Sequence, residues 1–146
     1  MSLNKLNQLY MAVVIDHASH PHHKLALPDA TTSVELHNVS CGDDIRAFIL
    51  MKDDKVQQVS FTGNGCTISQ ASASMMTDAL AGLTKTEAVA GCEAFFQLVM
   101  GKQISTKAKA WLGYAEILGS VAEFPARIKC ATLAWHAAQE ALEGGN

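Results

Sequence analysis

The chain has 146 residues, 49% of them hydrophobic and 17% charged, with a formal net charge of -3 at pH 7. This length and composition suit one compact domain over residues 1–146 with a sizeable core, and they exclude global disorder. The charge balance gives no general basis for binding nucleic acid or an anionic membrane, and no apolar run is long enough to span a bilayer.

The N-terminal MSLNKLNQLYMAVVIDHASH carries charged and polar groups throughout. It lacks the basic, apolar and small-residue order of a secretory signal, so a cytoplasmic protein is expected. Leu6, Tyr10, Val13 and His17 recur at helical steps, with Leu3, Leu9 and Val14 widening the face. Residues 3–18 are therefore predicted as an amphipathic helix, ended by the polar run before Pro21. His17 reads as a packing or capping residue, and His20, His22 and His23 as solvent-facing loop residues.

Residues 33–37 suit a short strand, and Ile45–Met51 and Val56–Phe61 two longer ones. Lys52-Asp53-Asp54-Lys55 can turn between the longer two, giving a small antiparallel sheet. Residues 69–81 are rich in small residues and helix formers. Ser69, Ser72 and Ser74 are assigned to packing there, because no nucleophile elbow or acid–histidine set accompanies them.

Thr84-Lys85-Thr86-Glu87 fits a capping box before a helix over 85–100. Val89, Cys92, Phe96 and Val99 mark its apolar face, which makes Cys92 a core thiol, and Gly101 suits the C′ position. Trp111–Leu118 is predicted as a short helix and 126–142 as the last one, with Trp111, Trp135 and His136 in structural roles. Helix, small antiparallel sheet, then several helices is an α+β order.

The four cysteines stand 25, 26 and 38 positions apart and include no CxxC pair. That spacing is too open for a disulfide-stapled miniprotein, and a reducing compartment favours thiols or metal ligation. In Cys41-Gly42-Asp43, a tight bend at glycine can turn a thiol and a carboxylate toward one ion. Cys66 follows the Gly-rich Gly63-Asn64-Gly65, and Cys130 falls at the start of the last helix. Three thiolates and a carboxylate suit tetrahedral Zn²⁺, with Asp43 preferred over Asp44. Separate buried thiols are an equally open reading of the same cysteines. Arg127 and Lys129, just before Cys130, can offset the negative charge of such a site or favour thiolate and persulfide anions. A pair of solvated helix-entrance residues is the plainer account of them.

Leu9-Tyr10, Asp16-His17, Cys41-Gly42-Asp43, Gly65-Cys66-Thr67-Ile68-Ser69, Ala71-Ser72-Ala73-Ser74-Met75-Met76 and Phe124-Pro125-Ala126-Arg127-Ile128-Lys129-Cys130-Ala131-Thr132-Leu133-Ala134-Trp135 closely resemble the SufU family, as does the ending Glu143-Gly144-Gly145-Asn146. This is the zinc-containing branch of the IscU-like iron–sulfur assembly proteins, and the resemblance covers nearly the whole chain. It implies an IscU-like α+β fold and one zinc held by Cys41, Asp43, Cys66 and Cys130. It also implies a zinc-dependent sulfurtransferase in which Cys41 accepts persulfide sulfur from a SufS-type cysteine desulfurase. A histidine of that partner would replace Cys41 on the zinc, and Arg127 would help place or stabilise the site. Pyridoxal phosphate belongs to the partner, and downstream Suf assembly proteins are further candidate partners. IscU scaffolds place histidine immediately before the last cysteine, where this chain has Lys129, and have less sequence between Cys66 and Cys130. Both features match SufU. An iron–sulfur assembly scaffold and a structural zinc protein that docks partners are the alternatives.

Overall fold

The structure, a computed structural model, describes residues 3–144, and their side chains except those of residues 3–7 and 9. The expected face positions Leu3, Leu6 and Leu9 thus lie outside the described side chains. Helix α1 spans Leu3–Ser19 and turns Val14 and His17 inward. Strands β1 (Thr32–Asn38), β2 (Asp43–Lys52) and β3 (Lys55–Asn64) follow, then α2 (Thr67–Leu80), α3 (Lys85–Val99), α4 (Thr106–Leu112), a 3₁₀ segment (Gly113–Glu123) and α5 (Pro125–Leu142). This is the expected α+β architecture, with a three-stranded antiparallel sheet in the order β1-β2-β3 packed against helices.

The β2–β3 hairpin closes through Asp53 and Asp54, both at positive φ (53° and 64°). Two successive left-handed residues match a tight turn to the right-handed twist of the strands, and aspartate tolerates that backbone better than bulky residues do. Ile45, Ala47 and Ile49 alternate inward along β2. They meet α5, whose Ala131, Ala134, Trp135 and Ala138 are buried.

Helix α2 is buried almost all round because it contacts α1, α5 and β3. Its hydroxyls are satisfied inside: Ser72 Oγ donates to the Ala131 carbonyl and accepts from Trp135 Nε1 at 2.9 Å. Trp135 also stacks on Phe95, with ring centroids 4.1 Å apart. Both bonds of the Thr84–Glu87 capping box are present at the start of α3, and Gly101 takes φ +84° just past its end. The buried stripe of α3 runs through Ala88, Gly91, Cys92, Phe95 and Val99. Phe96 is only half-buried and stacks on His136.

One element differs in kind from expectation. Residues 111–118 do not form one short helix. Here α4 starts at Ser105, whose side chain accepts the Ala108 N–H, and stops at Gly113, where φ is +54°. A left-handed residue cannot continue an α-helix, and the chain resumes as the 3₁₀ segment. In the loop after α1, His20, His22 and His23 are exposed, as expected, and His22 and His23 also reach α2. The His22 N–H donates to Ser74 Oγ at 2.7 Å, and His23 Nδ1 lies 2.9 Å from Thr77 Oγ1. Among the described residues, no helix is long and apolar enough to cross a membrane.

Candidate metal centre

Strand register gathers the sequence-distant candidate ligands. Period-two alternation puts Asp43 on the same face of β2 as Ile45 and Ala47, the face toward α5. Asn38 pairs with Asp43 across β1 and β2, and Asp44 with Asn64 across β2 and β3. The connection carrying Cys41 and the connection carrying Cys66 therefore leave the sheet at one end. Pro125 opens α5 at its first turn, where its missing N–H costs nothing, and Cys130 follows on the buried side of the helix.

Cys41 Sγ and Cys130 Sγ stand 3.0 Å apart. Cys41, Asp43 and Cys130 each offer a ligand atom within 4.8 Å of the others. Cys66 is outside that mutually close set but adjoins it. Its thiol neighbours Cys130, and its N–H donates to Asp43 Oδ1 at 2.9 Å. The same residue caps α2, its Sγ accepting the Ser69 N–H at 3.5 Å. Asp43, 2% exposed, also accepts from Ser69 Oγ at 3.2 Å and from Asn38 Nδ2 at 3.3 Å. Asn38 Nδ2 lies 3.9 Å from Cys130 Sγ as well. A Cβ at Gly65 would fall 2.5 Å from Asp43 Oδ1 and 2.2 Å from Ser69 Oγ, so only glycine lets this bend close over the carboxylate.

Burial pushes the Cys130 thiol up, and the Cys41 and Cys66 thiols and the Asp43 carboxylate push it further the same way. All four cysteines are free. Several thiolates and a carboxylate confined together repel one another, and a divalent cation reverses that balance by favouring each deprotonated donor. The Cys/Asp cluster can therefore coordinate a metal ion, and its sulfur and oxygen donors with hydrogen-bonded outer partners suit a tetrahedral one. Cys41 is exposed, whereas Asp43 and Cys130 lie beneath it.

Residues 9–131 match the model of the NifU-like N terminal domain. The chain belongs to this family. Among its relatives is the iron–sulfur cluster assembly scaffold protein IscU of Streptococcus pyogenes serotype M1, 50% identical over 143 residues, 98% of this chain and 88% of that one. The zinc-dependent sulfurtransferase SufU of Bacillus subtilis (strain 168) is 41% identical over the full length of both chains. A crystal structure from Fervidobacterium islandicum AW-1, of a candidate iron–sulfur cluster assembly scaffold for the SUF system, superposes with a TM-score of 0.84. It is 30% identical and covers 93% of this chain and 98% of that one. The NifU-like chain is thus homologous to the IscU/SufU proteins and has their α+β fold.

Within this NifU-like domain, the structure gathers Cys41, Asp43 and Cys130 with Cys66 beside them. Asp44 points elsewhere, its Oδ1 3.1 Å from His37 Nδ1. Arg127 is exposed on the first turn of α5, and its side chain makes no hydrogen bond among the described residues. Cys92 is fully buried on α3, away from the cluster. Asn38 and Ser69 hold the carboxylate and had no ligand signature in the sequence. Ser69 had one usable signal, its place three residues after Cys66 at a helix start, where side chains turn back on the cap. Asn38 had none, since only the strand register sets it opposite Asp43.

Proposed function

We propose that this chain serves iron–sulfur cluster assembly at a metal site formed by Cys41, Asp43, Cys66 and Cys130, with Cys41 as the thiol that takes up sulfur. The observation that carries the proposal is the layering of the cluster: Cys41 is exposed above buried Cys130 and Asp43. A protein-bound persulfide is a bulky donor and can reach only an exposed thiol. The Cys41 thiolate attacks the sulfane sulfur of the donor persulfide. A sulfur–sulfur bond forms at Cys41, the donor's own sulfur–sulfur bond breaks, and the donor cysteine leaves as a thiolate with the electron pair. The step needs no external oxidant or reductant. Arg127 and Lys129, both exposed beside Cys130 in sequence, supply positive charge near an anionic donor.

Two readings differ in where the sulfur goes next. The first is a scaffold, in which iron and sulfur are cargo assembled on the thiols. It has the wider support in what relatives are named, the S. pyogenes protein above all. The second is a zinc-dependent sulfurtransferase working with a SufS-type cysteine desulfurase, in which Cys41 passes the sulfur on. Lys129 favours this second reading, because an ammonium before Cys130 cannot serve as the further imidazole-type ligand of IscU scaffolds. The B. subtilis relative, matched end to end, supports it as well. In this reading a bound Zn²⁺ supplies charge that keeps the thiols deprotonated.

Anaerobic reconstitution with ferrous iron, cysteine and a desulfurase separates the two. A stable cluster that passes intact to an apo acceptor establishes the scaffold. Zinc retained, persulfide passed on and no transferable cluster establish the sulfurtransferase. If folded Cys41→Ser still takes up sulfur, both readings fail.

A further inference from the structure

Three donors also converge at the opposite end of α2. His17 on α1, His22 in the loop that follows it and Asp78 in the last turns of α2 each place a ligand atom within 4.8 Å of the others. His22 Nδ1 is 2.5 Å from Asp78 Oδ2, and the His17 and His22 rings are 4.5 Å apart. The three side chains border a cavity of about 360 Å³, shared with Asp16, Ala12, Val13 and Tyr114. Asp78 stands twelve positions after Cys66, the N-cap of α2, about 18 Å of helix rise, so the two clusters cannot share an ion.

A surface ion pair accounts for His22 and Asp78 alone. It does not account for His17, which is only 5% exposed yet reaches the same point. Ser74 Oγ lies 2.8 Å from His17 Nδ1 and fixes the ring. In the tautomer whose Nδ1–H donates to that oxygen, Nε2 carries a free lone pair. A hydrogen bond from the second ring nitrogen is the usual outer support of a metal-bound histidine. The only other such group outside the cysteines among the described residues, Glu35, His37 and Asp44, has no buried member, and Arg46 already engages Glu35 at 3.2 Å.

We propose that His17, His22 and Asp78 form a second metal site, which takes a divalent first-row ion such as Zn²⁺ through two imidazoles and one carboxylate. Two nitrogens and one oxygen suit zinc and its neighbours over magnesium or calcium, and the cavity leaves further positions for water. The proposal does not depend on sulfur uptake at Cys41; its test rests on the metal site proposed for the cysteines.

The test uses the full chain with its cysteine site filled by one equivalent of Zn²⁺. Equilibrium dialysis against further Zn²⁺ should then show a second equivalent bound by the wild type. His22→Ala and Asp78→Asn alter exposed side chains. Each should keep the first equivalent and an unchanged circular dichroism spectrum while binding the second at least about tenfold more weakly. Titration with Co²⁺ in place of the second Zn²⁺ should give visible bands without sulfur-to-metal charge transfer. Binding of one equivalent only by the wild type, a second equivalent that survives either substitution, or a charge-transfer band from the second ion would each overturn the proposal.

Discussion

Asn38 donates to Asp43 and faces Cys130, so one amide fixes a carboxylate and a thiol of the cluster together. Removing such an outer partner frees the ligand rotamers without removing a ligand. Asn38→Ala is therefore expected to lower metal affinity about 10- to 100-fold while the far-ultraviolet circular dichroism is unchanged, measured by competition with a chromophoric chelator. Cys92 gives a second prediction of a different kind. Its burial on α3 pushes its thiol up, with Glu93 and Glu143 adding to the effect. Below the ordinary thiol pKa of about 8.5 the folded and unfolded chains both hold the proton. Above it the unfolded chain loses the proton while the folded chain keeps it, so stability falls as pH rises, by up to about 1.4 kcal/mol per pH unit. Urea midpoints for wild type and Cys92→Ala at pH 7 and pH 10 should show a shallower fall in the variant; parallel falls would remove Cys92 as a source.

The capping box of α3 was visible in four letters because its bonds are local: Thr84 receives the Glu87 N–H and Glu87 answers to the Thr84 N–H, both at 3.1 Å. Thr84→Ala should cost about 1 kcal/mol of unfolding free energy, read from chemical denaturation. The α4 boundary was less legible. Ser105 caps without a partner acid, and the decisive feature is the left-handed backbone of Gly113, which the letter G permits but does not require. The loop histidines show the same limit. Their spacing looked like a solvated run, and only the approach of α2 makes Ser74, Thr77 and Asp78 their partners. The strand over 45–51 was readable, but its start at Asp43 was not, and it is that extension of β2 by two residues that sets the carboxylate on the inward face.

Across the whole molecule, the candidate site joins the β1–β2 connection, the start of α2 and the start of α5, segments nearly 90 residues apart in sequence. The four candidate ligand positions were legible as residue types and through their motifs. Their meeting was not, because it follows from strand register and from the packing of α5 across the sheet. An ion at such a junction binds the folded chain and not the unfolded one, so metal removal should destabilise the fold as a unit. Chelation is expected to lower the thermal midpoint by several degrees for each ~2 kcal/mol lost, and equal midpoints for metal-loaded and stripped protein would show that the ligands do not bridge these elements. The central claim is that Cys41 is the thiol that takes up sulfur. Its most direct test is peptide mass analysis of the full chain after incubation with a desulfurase and cysteine, with thiols and persulfides trapped by an alkylating agent. The account predicts a gain of one sulfur atom on the peptide containing Cys41, absent in folded Cys41→Ser; the added sulfur on Cys66, Cys92 or Cys130, with Cys41 unmodified, would contradict it.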